Sequence, residues 1–293
     1  MPIRRRFASA QNLGPRSLVF AKHVYQKIAG LTLGAVFVTA PVQRVRRWLG
    51  ARGGPMATPP VAAAVVAHLY YLDLLPEILA CRATLPGTAP LHLTVPEDKL
   101  AAAQELVAGL PAIVIHPCIN RGRDIWPFID MLNSGALDGY DAVLKLHTKR
   151  SPHLLDGNIR RKLLYTMLAG EPNAVKRTLN AFVQPTTGMA GWADCWRTAP
   201  PYWMANRERV QTIARRMGVP GSAERLGFFE GSMFWFRPAA FAALREMRLT
   251  PEDFEVEQGQ VDGTFHHALE RCFSIAAWSR GYRVTDLKGR PLD

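Results

Sequence analysis

From Pro59 onward, short apolar runs alternate with stretches of helical period, and few folds accommodate that alternation. VAAAVVAHLYY leads into LDLLPEILACRATL, LHLTV into PEDKLAAAQELVAGL, and AIVIHPC into a helical stretch around DIWPFIDMLNSG, before YDAVLKLH closes the series. Apolar runs of this length between helices predict strands buried on both faces. Strands joined through helices lie parallel, with right-handed crossovers. The expected class is α/β, a mostly parallel sheet with flanking helices. Pro96, Glu97 and Asp98 mark one helix start, since proline suits the first turn and acids suit the positive end of the helix dipole.

The second half is less regular. Helices are expected over Arg160 to Leu168 and Asn206 to Met217, a strand and loop in FVQPTTGMAGWA, and a buried strand in GSMFWFRP, stopped by proline. One long helix is expected from Asp262 to Arg280, because Phe265, Leu269, Cys272, Phe273 and Ala276 recur at three- and four-residue spacing and Gly281 supplies a stop.

Charge divides the chain. Of the net +12, ten charges sit in residues 1–58 on Arg4, Arg5, Arg6, Arg16, Lys22, Lys27, Arg44, Arg46, Arg47 and Arg52, with no acid among them. The remainder carries only +2, so the high pI describes mainly an appendage and the nucleic-acid reading it invites is weakened: no nucleic-acid partner is expected, with binding through the basic segment as a third possibility. Two parts follow: a basic segment, 1–58, and a domain, 59–293. Within the segment, IAGLTLGAVFVTAPV (Ile28 to Val42) is uncharged but short of the roughly 20 residues of a spanning helix. Flanked by basic residues, it suits peripheral contact with an anionic leaflet; a packed helix or loop is the plainer alternative. The long basic lead and Pro41 argue against a signal peptide. Cys81, Cys118, Cys195 and Cys272 form no Cys-x-x-Cys pair and fit core positions in a reducing cytoplasm.

In open α/β sheets ligands bind beyond the carboxyl ends of strands, which directs attention to His68 to Tyr71, Asn120 to Asp124 and Lys145 to His153. NRGRD places Asn120, Arg121, Arg123 and Asp124 in a glycine-containing turn, where guanidinium forks suit phosphate oxygens. Its plainer reading is a surface turn with Asp124 capping the next helix. KLHTKRSPH concentrates Lys145, His147 and Lys149 at a strand end, where cations can stabilise a departing diphosphate, or simply form a solvated loop. In the third cluster Asp262, at the expected helix start, shares a face with His266 four residues on, and Glu257 lies just ahead. A carboxylate there can take a proton from an attacking hydroxyl or serve as a helix cap. Adjacent His266 and His267 should point about 100° apart on a helix, one to the cleft and one to solvent. Of the aromatic group, Phe234 and Phe236 suit the core, while Trp203 and Trp235 are open to stacking on sugar rings. There is no Walker loop, no Gly-x-Gly-x-x-Gly turn and no Gly-x-Ser-x-Gly elbow.

HLYY, NRGRDIWPF, KLHTKRSPH, GSMFWFRP and FEVEQGQVDGTFHHALER together resemble the rhamnan synthesis protein F family of bacterial polysaccharide assembly, over roughly Pro59 to Thr285. The resemblance implies a GT-A-like fold and a nucleotide-sugar-dependent glycosyltransferase, handling L-rhamnose from a dTDP-activated donor and a lipid-linked saccharide acceptor, in O-antigen or cell-wall glycans. It places the acceptor's base at Asp262, with Glu257 as rival. Donor contacts fall on His68, Asn120, Arg121, Arg123, Asp124, Lys145, His147 and Lys149, and acceptor contacts on Trp203, Trp235 and His266. GT-A enzymes often hold a divalent ion on an Asp-x-Asp pair; here that place reads KLHTK. Diphosphate stabilisation by Arg121, Arg123, Lys145 and Lys149 is therefore expected, and Mn²⁺ or Mg²⁺ with His147 as ligand stays open. The alternative from another class is a non-catalytic glycan-binding or scaffolding protein.

Overall fold

The computed structural model describes residues 56–148, 150, 157–219, 221, 225–260 and 262–292. The basic segment, apart from Met56, Ala57 and Thr58, lies outside them, as do Lys149 and His153.

The expected alternation appears as strands β1 (Ala63–His68), β2 (Leu91–Pro96), β3 (Ile113–Cys118) and β4 (Ala142–His147), separated by helices α1 (Leu75–Arg82), α2 (Leu100–Val107) and α3 (Ile125–Asn133). Helices α4 (Gly157–Ala169) and α5 (Pro172–Phe182) lead to β5 (Thr187–Gly191). A small ribbon of β6 (Trp196–Arg197) and β7 (Phe228–Phe229) encloses α6 (Arg207–Arg216), and β8 (Phe234–Phe236), α7 (Ala242–Glu246), α8 (Phe265–Glu270), α9 (Cys272–Ser279) and β9 (Arg283–Asp286) complete the chain.

The main sheet has seven strands in the order β3-β2-β1-β4-β8-β5-β9. Only β8 runs against the rest, pairing antiparallel with β4 and β5. This mostly parallel, helix-flanked α/β architecture is the one expected for a GT-A-like fold. Each face carries its own core. On one, Val66, Val143, Phe234 and Phe236 meet α3, α6, α7, α8 and α9. On the other, Val65, Leu93, Leu144 and Trp235 meet α1, α4 and α5. Two buried faces explain why β1 and β4 are largely apolar rather than alternating, whereas β3, at the edge of the sheet, stays partly exposed. Phe234 and Phe236 are core residues, with Phe128 edge-on to Phe236 at 5.1 Å and Phe273 5.5 Å from Phe128.

One element departs from expectation. The helix foreseen from Asp262 to Arg280 begins only at Phe265, after Gly263 and an extended Thr264, and breaks at Arg271. The Arg271 guanidinium donates to the His267 carbonyl at 2.6 Å, which the Arg271 amide would otherwise engage, and that amide turns to Ala268 instead. Asp262 therefore stands in a turn outside the helix and does not share a helical face with His266. The stop at Gly281 does form: its φ of 76° lets its own amide reach Trp278 and that of Tyr282 reach Ala277. Cys81, Cys118 and Cys272 are buried core residues and Cys195 is half-buried, and burial raises all four thiols.

Candidate functional site

The strand order creates one place where a crevice must open. The chain passes from β1 outward to β2 and β3, then returns to the other flank of β1 as β4. The loops leaving β1 and β4 diverge, and such a switch point is where open α/β sheets bind ligands. His68 ends β1, His147 ends β4, and the two are register partners. Thr148 ties the exits together: its hydroxyl accepts from the Tyr70 and Tyr71 amides at 2.9 and 3.0 Å and donates to the His68 carbonyl. Tyr165 donates to the His147 carbonyl at 2.8 Å.

Beneath these histidines lies a buried ion pair. Lys145, two residues before the end of β4, donates to Asp124 Oδ2 at 2.7 Å and to the Ser232 carbonyl and hydroxyl at 2.7 and 2.9 Å. Those contacts use all three of its donors. The ammonium also lies 5.0 Å from the Phe128 ring centroid. Lys145 is thus the fixed partner of Asp124, and the expectation that it grips a diphosphate is corrected: no N–H is left to give. Asp124 occupies the cap position of α3 without capping it; the carboxylate turns inward, and His147 Nδ1 approaches the same Oδ2 at 3.1 Å. Burial alone would push this carboxyl up, but His147 and Lys145 outweigh it and hold it well below the usual carboxylate range. Among the described residues nothing donates to Asp124 Oδ1. Beside it, His68 hydrogen-bonds Thr94 Oγ1 through Nδ1 at 3.0 Å, and burial pushes its pKa down to about 4. His68, Thr94, Asp124, Phe128 and Lys145 line a cavity of about 10 Å³, roughly room for one water. A larger hollow of about 500 Å³, lined by Asn133, Arg245, Glu246, Arg248 and Leu249, lies at the other end of α3, away from this chemistry.

Two turns hold this arrangement through uncommon backbone. Ser232, between β7 and β8, has φ of 52°, and Arg123 has φ of 56°. Such non-glycine geometry is strained and concentrates at functional sites. Gly122 (φ 60°) cannot be replaced without conflict, since a Cβ there would sit 2.5 Å from the Phe254 ring.

Arg123 leads to the other half of the crevice. Its Nε and Nη2 donate to the two carboxylate oxygens of Glu257 at 2.9 and 3.0 Å, and Nη2 also reaches the Gln260 carbonyl at 2.6 Å. A donor-site candidate and a base candidate are therefore partners. The Arg123 bond is the main cause holding the Glu257 carboxyl below its ordinary value. Asp262 accepts from the Ala205 amide at 2.9 Å and Asn206 Nδ2 at 2.7 Å, with Arg271 4.0 Å away. Burial raises that carboxyl, and these partners more than offset it. His266 and His267 do not diverge as expected: their rings lie 4.2 Å apart and both approach the Thr264 hydroxyl. Burial lowers both, His267 to about 4, and the Arg123 charge acts in the same sense.

The two tryptophans foreseen as sugar platforms are in the core. Trp235 is 0% exposed, its Nε1 donating to the Leu168 carbonyl at 3.1 Å, and Trp203 is buried. Neither presents a face to a ligand. Asn120 is exposed and Arg121 half-buried beside the crevice-forming turn. Sequence reasoning missed Ser232, Thr94 and Thr148. One signal was available for Ser232: a lysine inside a buried strand needs a counter-ion and further acceptors within reach. The described residues contain no group of three or more His, Cys, Asp or Glu side chains placed to hold a metal ion. They also contain no helix long and apolar enough to cross a membrane.

Comparison with known proteins adds the following. The family model for rhamnan synthesis protein F matches residues 54–282. Two curated relatives, each called uncharacterized protein WxcX, come from Xanthomonas campestris pv. campestris strains B100 and ATCC 33913. Each is 36% identical over 232 residues, covering 78% of this chain and 33% of the relative. The chain thus spans about a third of the length of the curated relatives it matches.

Proposed function

The chain belongs to the rhamnan synthesis protein F family, and from that premise we propose that it is a glycosyltransferase of bacterial polysaccharide synthesis, moving L-rhamnose from a dTDP-activated donor to a hydroxyl of a lipid-linked saccharide. The observation that carries this reading is the convergence of His68, His147, Asp124 and Lys145 at the switch point between β1 and β4. A sugar nucleotide offers the two things such a site recognises: hydroxyls for a permanent carboxylate and a diphosphate for nearby cations.

In this reading Asp124, kept ionised by Lys145 and His147, accepts hydrogen bonds from ribose or sugar hydroxyls through Oδ1. His68 stays neutral at pH 7, so it donates or accepts without a charge of its own. Arg121 and Arg123, with Asn120 and Lys149, receive the departing diphosphate without a resident metal ion. The acceptor's base is one of two carboxylates. Asp262 is engaged with the turn at Ala205 and Asn206, whereas the Glu257 side chain is 43% exposed, so we place the base at Glu257 and give Asp262 the task of supporting that turn. His266, whose ring feels the Glu257 charge, orients the acceptor. Residues 1–58 bring the enzyme to the membrane surface where a lipid-linked acceptor resides.

A second reading, a glycan-binding or scaffolding protein of the same pathway, draws on the pairing of Asp124, Glu257 and Asp262 within the protein. Thermal unfolding with dTDP-rhamnose in EDTA separates the two. Ligand at 100 times its Kd stabilises by about 2.7 kcal/mol, and the enzyme reading further requires dTDP release when a saccharide acceptor is added. Stabilisation only with Mn²⁺ would return His147 to the role of metal ligand. Stabilisation by glycans but by no nucleotide sugar would favour the scaffold.

A further inference from the structure

We infer that Arg123 exchanges partners during turnover, leaving Glu257 for the donor's diphosphate, and that this exchange uncovers the Glu257 carboxylate for the acceptor hydroxyl. The inference rests on the glycosyltransferase reading above and adds an order of events to it: donor first, base second.

The pair is built to be exchanged. Its two side chains are 40% and 43% exposed, and ion pairs of that exposure are held only weakly. A guanidinium fork fits carboxylate and phosphate oxygens alike, and a diphosphate brings more charge than a single carboxylate. The root of Arg123 is fixed, since Gly122 packs against Phe254 and Trp126 and the next residue, Asp124, is locked to Lys145. The guanidinium can therefore swing while its backbone stays. Arg123 also joins the two sides of the crevice, the turn after β3 and the loop at residues 257–260, through Glu257 and the Gln260 carbonyl. Its departure leaves that loop with local bonds, including Gly259 N–H to Glu257 Oε1 at 2.9 Å and Gln260 Nε2 to the Val256 carbonyl.

The transfer step then balances. The acceptor oxygen bonds to the anomeric carbon, the bond from that carbon to the diphosphate oxygen breaks with its electron pair on the diphosphate, and the acceptor proton passes to Glu257. The diphosphate charge is met by the guanidinium that had masked the base. Without donor, Glu257 stays paired.

Calorimetric titration of dTDP, UDP and inorganic pyrophosphate into wild type and Glu257→Gln tests this, together with amide hydrogen exchange of wild type at residues 257–260. Removing the competing carboxylate should tighten nucleoside diphosphate binding by up to about fivefold, the ratio equivalent to ~1 kcal/mol. Saturating dTDP should speed exchange at 257–260 in wild type, a readout that needs no variant. Equal affinity in both proteins with unchanged exchange would overturn the partner swap while leaving the donor site standing. Absence of binding by any of the three probes to either protein would overturn the swap and the enzyme reading together.

Discussion

Arg123 and Asp124 are neighbours in sequence and form ion pairs of opposite character. Asp124 meets Lys145 at 2.7 Å with side chains 16% and 2% exposed, and Arg123 meets Glu257 at 2.9 Å with both more than a third exposed. The first pair lies under the sheet's crevice among Phe128, Phe234 and the Ser232 turn; the second spans the crevice in contact with water. Both bonds are short, yet they differ in what breaking them costs. A buried charge that loses its partner stays buried, whereas an exposed one returns to water. One pair can hold a site in shape, and the other can respond to a ligand.

The largest effect separating them should come from Lys145→Met. It leaves the Asp124 carboxylate buried with His147 alone and should cost about 3–5 kcal/mol, because the uncompensated charge is what destabilises. For a domain of this size that lowers Tm by on the order of 10 °C. Lys145→Met combined with Asp124→Leu should recover most of the loss, since replacing both members of a buried pair by apolar groups is often near neutral. Loss of less than 1 kcal/mol in the single variant would mean that the two pairs do not differ.

The next effect concerns the neutral side of the same cluster. The His68 pKa is about 4 when folded against an ordinary value near 6.5. Between those values the unfolded chain binds a proton that the folded chain refuses, so stability falls as pH drops from about 6.5 to about 4 and is flat above. At ~1.36 kcal/mol per pKa unit, His68 accounts for roughly 3 kcal/mol of that loss. Urea unfolding at pH 7, 5.5 and 4.5 should show His68→Gln with a shallower slope by up to one proton. The slope will not vanish, because His92 and His267 are also lowered to about 4. An unchanged slope would place the His68 ring outside the buried cluster.

A smaller effect sharpens the division of labour between Asp262 and Glu257. As support for the Ala205 and Asn206 turn, Asp262 makes two charge-assisted bonds, and Asp262→Asn should cost about 1–2 kcal/mol of stability with turnover reduced less than tenfold. As the base it would lose on the order of 100-fold or more in turnover with donor affinity intact. Rhamnosyl transfer measured beside dTDP affinity decides between the two.

The same contrast explains what could be read in the sequence. β1, β2 and β4 were legible because strands buried on both faces are largely apolar along their length, and β4 announced its one lysine, Lys145, in the middle of such a run. What that lysine does was not legible. Its partners Asp124 and Ser232 lie 21 and 87 residues away, and nothing in local spacing reports a contact made by folding. The tryptophans failed for a related reason: composition gives Trp235 a large stackable ring, but strand parity in β8 turns it into the core facing α4, while Phe234 and Phe236 face α3. The helix around His266 was misplaced at its start and middle because apolar spacing continues through Arg271, while the break comes from that residue's own guanidinium taking the His267 carbonyl. Periodicity sees the buried face and is blind to a side chain that competes for a backbone acceptor.

The smallest effect is the most telling for the exposed pair. Arg123→Ala and Glu257→Gln should each change stability by less than about 1 kcal/mol, so Tm alone will barely distinguish them from wild type. Their ligand behaviour should instead move in opposite directions, with Arg123→Ala weakening dTDP binding and Glu257→Gln strengthening it. A pair that served only to brace the loop would give both variants the same sign, because either substitution frees the same loop from the same bond. Opposite signs therefore require that arginine and glutamate compete over the ligand, and equal signs would make the exposed pair a weaker copy of the buried one.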